Sequence, residues 1–316
     1  GLTLSLSSCI IHSAMSIHSN AIPETSKIRE QTNLRPTDMT PPRKPQESGE
    51  LEISLPMLVL LVAAVGLLIY GAVTFFGKKN GPDVTPKTPP DTLAAGLIDV
   101  TVSLDYITIL KDTPKVNYIF IEISDFECPY CKVFSIGSGD GRPSTFAEIR
   151  ARYIDSGIMK FGYAPYTAVP QHKPAVTNET VGFYCAAAQK KAAEYHEYVF
   201  SMTSANGLGI DKKGAERSAI LGIAKKIGVN EAEFTACYDK RDIVAIDKVQ
   251  EKINKEIKTP WGDKYGANYF GTPAFAVCKI SADNPTTCVG KAYVGAWPYA
   301  DMKNVLDTFL GADAPK

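Results

Sequence analysis

SDFECPYCKVF, residues 124–134, continues the run VNYIFIEIS at 116–124 and places two cysteines two residues apart. The run is β-branched and aromatic, which predicts a buried strand. The residues after it predict a helix start. Pro129 suits a first turn, because the N–H it lacks has no partner to lose there. Two intervening residues put the sulfurs of Cys128 and Cys131 on one helical turn, close enough to bond. The free N–H groups and partial positive charge of a helix start lower a thiol pKa. Only the thiolate reacts, so a strand running into a helix start is the setting that a dithiol redox centre needs. The competing readings are half a zinc site and an inert disulfide. Zinc needs a second close pair of ligands. Cys278 and Cys288 are ten apart, and none of the four histidines stands near a cysteine at ligand spacing. Neither a metal nor a cofactor is expected.

Composition narrows the remaining classes. The chain has 316 residues and is 45% hydrophobic, enough for one sizeable core and extra segments. Lys+Arg and Asp+Glu both number 34, and no basic stripe appears, so nucleic acid is not an expected partner. Six of the seven cysteines lie after residue 100, an even number that could pair completely, and Cys9 stands apart.

Residues 1–54 are rich in Ser, Thr, Pro and charge with no apolar period, which predicts a disordered tail. The first twenty residues hold no Lys or Arg and make a poor signal peptide. LSSC at 6–9 loosely resembles a lipoprotein cleavage box, but the apolar run before it is too short. LPMLVLLVAAVGLLIYGAVTFF, residues 55–76, carries no charge. At 1.5 Å per residue it is about 33 Å long, against a bilayer core of about 30 Å. A buried core helix is usually shorter and keeps a polar stripe, so a single transmembrane helix is expected. Tyr70, Phe75 and Phe76 suit an interface, and Lys78 and Lys79 mark the exit. Arg43 and Lys44 on one side, with Lys78, Lys79 and Lys87 on the other, leave the positive-inside count undecided. Residues 77–97 form a Pro-rich linker; extended as polyproline II, its first part holds a domain about 45–50 Å from the membrane.

Residues 98–312 read as a globular domain. YITIL (106–110) is a short apolar run, and IMKFGYAPY (158–166) a second strand. In TVGFYCAAAQKKAAEYHEYVF (180–200) the residues Val181, Cys185, Ala188, Ala192, Tyr195 and Val199 recur at helical spacing. Ile220, Ile223, Ala224 and Ile227 repeat that pattern, as do Ile243, Ile246, Val249, Ile253 and Ile257. Asn230 and Glu233 resemble an N-cap and its partner. TPAFAVCKI and TTCVGKAYVG read as strands joined by SADNP, and YADMKNVLDTFL as a closing amphipathic helix. The predicted order is β, β–CxxC–α, β, several helices, β, β, α.

This order and these motifs resemble the DsbA-like thiol–disulfide oxidoreductases, which are α/β proteins of thioredoxin-like fold with an inserted helical subdomain, here at about 175–257. SDFECPYCKVF resembles the family's redox segment, with Pro129 and Tyr130 as the dipeptide between the cysteines. CAAAQKKAAEYHEYVF is similar to the insertion's first long helix, and IAKKIGVNEAEFTACYD to its later ones. FGTPAF (270–275) resembles the loop bearing a cis proline, here Pro273 after Thr272. Glu122 lies six residues before Cys128, where the fold usually carries a buried acid. The bland alternative is an exposed strand residue, with Ile121 and Ile123 facing the core instead. SIGSGDGRPS (135–144) departs from the family by interrupting the helix after the redox pair. It lacks the Lys-Ser/Thr ending of a phosphate loop.

The resemblance implies roles. Cys128 forms the mixed disulfide, Cys131 resolves it, Glu122 moves the proton with a raised pKa, and Thr272–Pro273 hold the substrate backbone. A structural disulfide is expected between Cys278 and Cys288, facing each other across the last hairpin. Another is expected between Cys185 and Cys237, for which two buried free thiols stay open as an alternative. His172 and His196 read as surface or packing residues. Tyr163, Tyr166, Tyr265 and Tyr269 read as core or rim. Structural disulfides belong in an oxidising compartment, which orients the tail inside and the redox domain outside a cytoplasmic membrane, and a bacterial source is expected. The implied activity is a dithiol oxidase acting on exported or unfolded proteins with free cysteines and recycled by a membrane redox partner. A reductase or isomerase, or a non-catalytic membrane-tethered peptide-binding module, are the alternatives.

Overall fold

The computed structural model describes residues 92–167 and 169–316. The expected tail 1–54, the span 55–76 and the greater part of the linker lie outside the described residues, as does Cys9. Among the described residues no helix is long and apolar enough to cross a membrane.

Six strands build one sheet: β1 (Ile98–Ser103), β2 (Thr108–Lys111), β3 (Tyr118–Ser124), β4 (Lys160–Pro165), β5 (Ala274–Ile280) and β6 (Thr287–Val294). Their order is β1-β6-β5-β3-β4-β2. β3 lies parallel to β4 and antiparallel to β5, and the other pairings are antiparallel. Buried on both faces, β3 reads as a continuous apolar run rather than an alternation. β1 was not singled out in the sequence. Ile98, Val100 and Val102 are buried in alternation with exposed Asp99 and Thr101, but the strand is short and half polar.

Helix α1 (Pro129–Ile136) leaves the end of β3, and α2 (Thr145–Ile149) follows after the glycine-bearing break, capped by the Ser144 hydroxyl, which accepts from the Ala147 N–H. Between β4 and β5 lie α3 (Ala175–Ala188), α4 (Ala192–Met202), α5 (Arg217–Ile227), α6 (Glu231–Lys240), α7 (Ile243–Ile253) and α8 (Thr259–Tyr265), and α9 (Tyr299–Leu310) follows β6. Asn230 caps α6, its side chain accepting from the N–H groups of Ala232 and Glu233.

Four sequence expectations need correction. The stretch 180–200 is two helices, not one: Lys190 adopts a left-handed φ of 60°, and Gln189 is tied by its side chain to the Asn230 backbone. The helical region runs past 257, through a π turn, Asn254–Lys258, into α8. The linker ends sooner than 97: Leu93 is buried, and the carbonyls of Ala95 and Leu97 accept from Tyr265 Oη and Lys264 Nζ. Finally, Cys278 and Cys288 are bonded but not directly opposite. Gly290 faces Cys278, and Cys288 faces Ile280, so the bridge is diagonal. A Cβ on Gly290 would lie 2.5 Å from the Cys278 Cα, so this close approach requires glycine.

The buried side chains form two clusters. One packs the sheet against α9 and the α1–α2 region, with Phe120, Phe134, Phe161, Phe275 and Leu306. The other lies among the inserted helices and includes Phe183, Tyr195, Phe200 and Phe234. Phe126, Cys128 and Cys131 belong to the second cluster. Cys185 in α3 is bonded to Cys237 in α6.

Candidate active site

β3 ends at Ser124, and the chain turns at once into α1. Asp125 shapes the turn: its carboxylate accepts from the Glu127 N–H at 2.8 Å, and its carbonyl from the Cys128 N–H at 3.0 Å. Cys128 is therefore the N-cap of α1, with Pro129 in the first turn. Cys131 sits within α1, wholly buried, while Cys128 keeps 6% exposure. Both thiols are free. Thr272–Pro273 is a cis peptide bond, and the Thr272 carbonyl accepts from the Cys128 thiol at 3.3 Å. Tyr130 of the dipeptide points outward, 70% exposed, and Val133 and Ile136 continue its exposed apolar face along α1.

These surroundings split the two thiols. Hydrogen bonding from Cys131 lowers the Cys128 pKa to about 6 against the effect of burial, helped by Thr272 and by the backbone N–H groups of Cys131 and Tyr130. Burial, and then the neighbouring Cys128, push Cys131 well above the ordinary thiol range. One sulfur is a ready thiolate and the other a protected thiol. Alkylation of the reduced protein with iodoacetamide is accordingly expected to modify Cys128 alone, with a rate midpoint near pH 6. A midpoint near the free-thiol value of about 8.5 would contradict this.

Glu122 lies on β3, paired with Tyr163 of β4 and Phe275 of β5. It is wholly buried, as are Ile121 and Ile123. Burial raises its carboxyl to about 8, opposed by Ser124 and reinforced by the Cys128 charge. Near neutrality it is a protonated acid behind the cysteines, able to give up or take a proton. Tyr163, Tyr166 and Tyr265 are buried, and Tyr269 is exposed.

Sequence reasoning missed a set of buried polar groups around this turn. Glu127 ties the redox segment to the insertion: its carboxylate accepts from the Thr203 hydroxyl and from the Gly209 N–H, and its carbonyl from the Asn206 N–H at 2.7 Å. Lys132 of α1 donates to the Thr203 carbonyl. Gly209 has a φ of +72°, and a Cβ there would stand 2.2 Å from the Ala215 nitrogen. His172 is buried and not on the surface, its Nδ1–H donating to Asp125 at 2.8 Å, and that bond raises its pKa against burial. His196 is buried beside Glu122. No local pattern marks these residues, because each is brought in by the packing of the insertion on the turn. Asp125 and Glu127, either side of Phe126, look like solvated charges in the sequence.

Glu179 of α3 is also wholly buried, its pKa raised first by burial and then by the adjacent Glu127. A raised folded pKa means that the folded state holds the proton longer than the unfolded state. This group's effect therefore lowers stability as pH rises from the ordinary glutamate range through the raised value. Glu179→Gln supplies a permanent donor toward Glu127. It is expected to stabilise the protein by about 1–3 kcal/mol at pH 7–8 and to flatten that part of the pH–stability curve, measured by urea unfolding.

The thioredoxin family model matches residues 113–260, and the α/β sheet with its inserted helices is thioredoxin-like. No curated protein sequence matches the chain. Among solved structures it is similar to oxidised BdbD from Bacillus subtilis, at 18% identity and a TM-score of 0.48, over 68% of this chain and 98% of that one. It is similar also to alpha-DsbA1 of Wolbachia pipientis, at 17% identity and 0.48, over 67% and 94%. Reduced DsbA from Mycobacterium tuberculosis is a third, at 18% and 0.41, over 67% and 92%.

Proposed function

We propose that the protein is a thiol–disulfide oxidoreductase that donates disulfides to other proteins through Cys128 and Cys131. The observation that carries this reading is the split pair: a thiol at a helix N-cap that keeps 6% exposure and is lowered to about 6, and a wholly buried partner held protonated. Stabilising the Cys128 thiolate favours the reduced pair, which makes the oxidised pair a stronger oxidant.

In the forward reaction a substrate thiolate attacks Cys128 Sγ of the Cys128–Cys131 disulfide. A substrate–Cys128 disulfide forms, the Cys128–Cys131 bond breaks, and Cys131 leaves, taking a proton from Glu122. A second substrate thiolate then displaces Cys128 as a thiolate. The substrate loses two electrons and the pair gains them. Thr272 and Pro273, beside Cys128, hold the substrate backbone, and the exposed face of Tyr130, Val133 and Ile136 receives its side chains.

The Cys185–Cys237 and Cys278–Cys288 bridges support an oxidising, extracytoplasmic location. Residues 55–76 anchor the domain in the membrane with the tail inside, and a membrane redox partner reoxidises the pair. The test is the equilibrium reduction potential of Cys128–Cys131 against glutathione. A value of about −120 mV, typical of strong dithiol oxidants, is expected. A value of about −270 mV, as in thioredoxin, would replace the oxidase with a reductase.

A further inference from the structure

Glu122 has both carboxylate oxygens buried without a hydrogen-bond partner among the described residues. Each exchange at Cys131 moves one proton through this group. In the exchange proposed above, a substrate joined to Cys128 beside Thr272 would cover that side of the site. The proton therefore needs a second way to solvent, and His196 of α4 lies on one.

His196 Nε2 stands 3.9 Å from Glu122 Oε2, and it too has no hydrogen-bond partner among the described residues. The ring is set edge-on against Tyr163, at 4.6 Å between centroids, and Phe200, at 4.9 Å. His196 also lines a cavity of about 580 Å³ between β2, α2 and α4, whose lining includes neither Cys128 nor Cys131. The charged groups around that cavity include Lys111, Arg150, Asp155, Lys190 and Glu197. Arg150 bridges Asp155 and Glu197, and these three side chains are 47–54% exposed, so the cavity reaches solvent.

We propose that His196 conducts protons between Glu122 and this cavity, acting on Cys131 only through Glu122. The inference rests on the dithiol chemistry proposed above. When Glu122 has given its proton to Cys131, His196 returns one from Nε2 while Nδ1 takes a proton from the cavity. In the opposite direction Nε2 accepts and Nδ1 releases. The 3.9 Å separation is bridged by one water or by a small turn of the carboxylate. Burial, followed by the charge of Arg150, lowers the His196 pKa to about 3. The resting ring is thus neutral, with one nitrogen free to accept and the other to donate. His172 cannot substitute, because its Nδ1 is bonded to Asp125.

The test uses the full chain with His196→Ala and His196→Gln, rapid quenching, thiol trapping and a two-cysteine peptide. Both variants are expected to slow the Cys131-dependent step about tenfold across roughly pH 6–8. The Cys128 alkylation rate and the equilibrium reduction potential are expected to match wild type. Added imidazole is expected to restore the His196→Ala rate saturably and to leave wild type unchanged. Unaltered rates in both variants, or a loss that imidazole does not rescue, overturn the assignment of His196 alone. Failure of the wild-type chain to exchange disulfides with the peptide overturns the oxidoreductase reading and this inference with it.

Discussion

Replacing Cys131 by Ser is expected to leave the protein covalently joined to its substrate. Reduced Cys131→Ser, mixed with a peptide disulfide, still presents the Cys128 thiolate at the mouth of the site. Cys128 Sγ attacks, one peptide sulfur leaves as a thiolate, and a mixed disulfide forms. No second sulfur then stands within the turn to displace the peptide, so the adduct persists and appears as a mass shift under non-reducing conditions. Cys128→Ser is expected to form no adduct at all, since Cys131 is wholly buried and held as a thiol. Either change should lower turnover on the order of 10⁴-fold or more, the scale of losing a nucleophile. Cys131→Ala adds a finer test. Cys131 is the largest influence lowering the Cys128 pKa, so removing its donor should move the alkylation midpoint upward, whereas Ser, which retains a hydroxyl donor, moves it less. Equal adduct formation by the two single serine variants would sink the division of labour between the cysteines.

Removing the Cys185–Cys237 bridge is expected to cost about 4 kcal/mol of stability, through the entropy regained by an unfolded loop closed over 52 residues. The bridge clamps α3 to α6, and α3 carries Glu179 beside the Glu127 tie. The Cys278–Cys288 bridge spans only 10 residues and is expected to contribute less, about 3 kcal/mol. Guanidinium unfolding of the paired alanine variants, with Cys128 and Cys131 intact, checks both values. A loss under about 1 kcal/mol for the longer loop would show that the unfolded chain is already confined by other contacts.

The sheet and the redox turn were legible in the sequence because their signals are local. An apolar run on β3, a proline at a helix start and two cysteines at one-turn spacing each speak within a few residues. Asn230 was readable as a cap for the same reason. The short strand β1 was not, since its pairing with β6, Ile98 against Ala292 at one end and Ser103 against Thr287 at the other, spans almost two hundred residues. The break at Lys190 escaped because helical spacing continues through Gln189–Lys191 in the sequence, while the chain there is turned by a contact with Asn230. The polar surroundings of the site were hidden for a related reason. Glu127, His172 and His196 meet side chains or backbone far along the chain, as the Glu127–Gly209 and His172–Asp125 contacts, 82 and 47 residues apart, show.

The membership of Cys128 and Cys131 in the insertion's cluster rather than the sheet's has a consequence for durability. Cys131 is packed among the inserted helices, a part of a fold that can open locally while the sheet stays intact. Attack by peroxide on Cys131, which would carry it toward irreversible sulfinic and sulfonic acids, should then follow the rate at which those helices part. The seam along Glu127, Thr203 and Gly209 holds the insertion on the turn that carries the cysteines, and reinforcing it is expected to slow peroxide loss of Cys131 in the reduced protein.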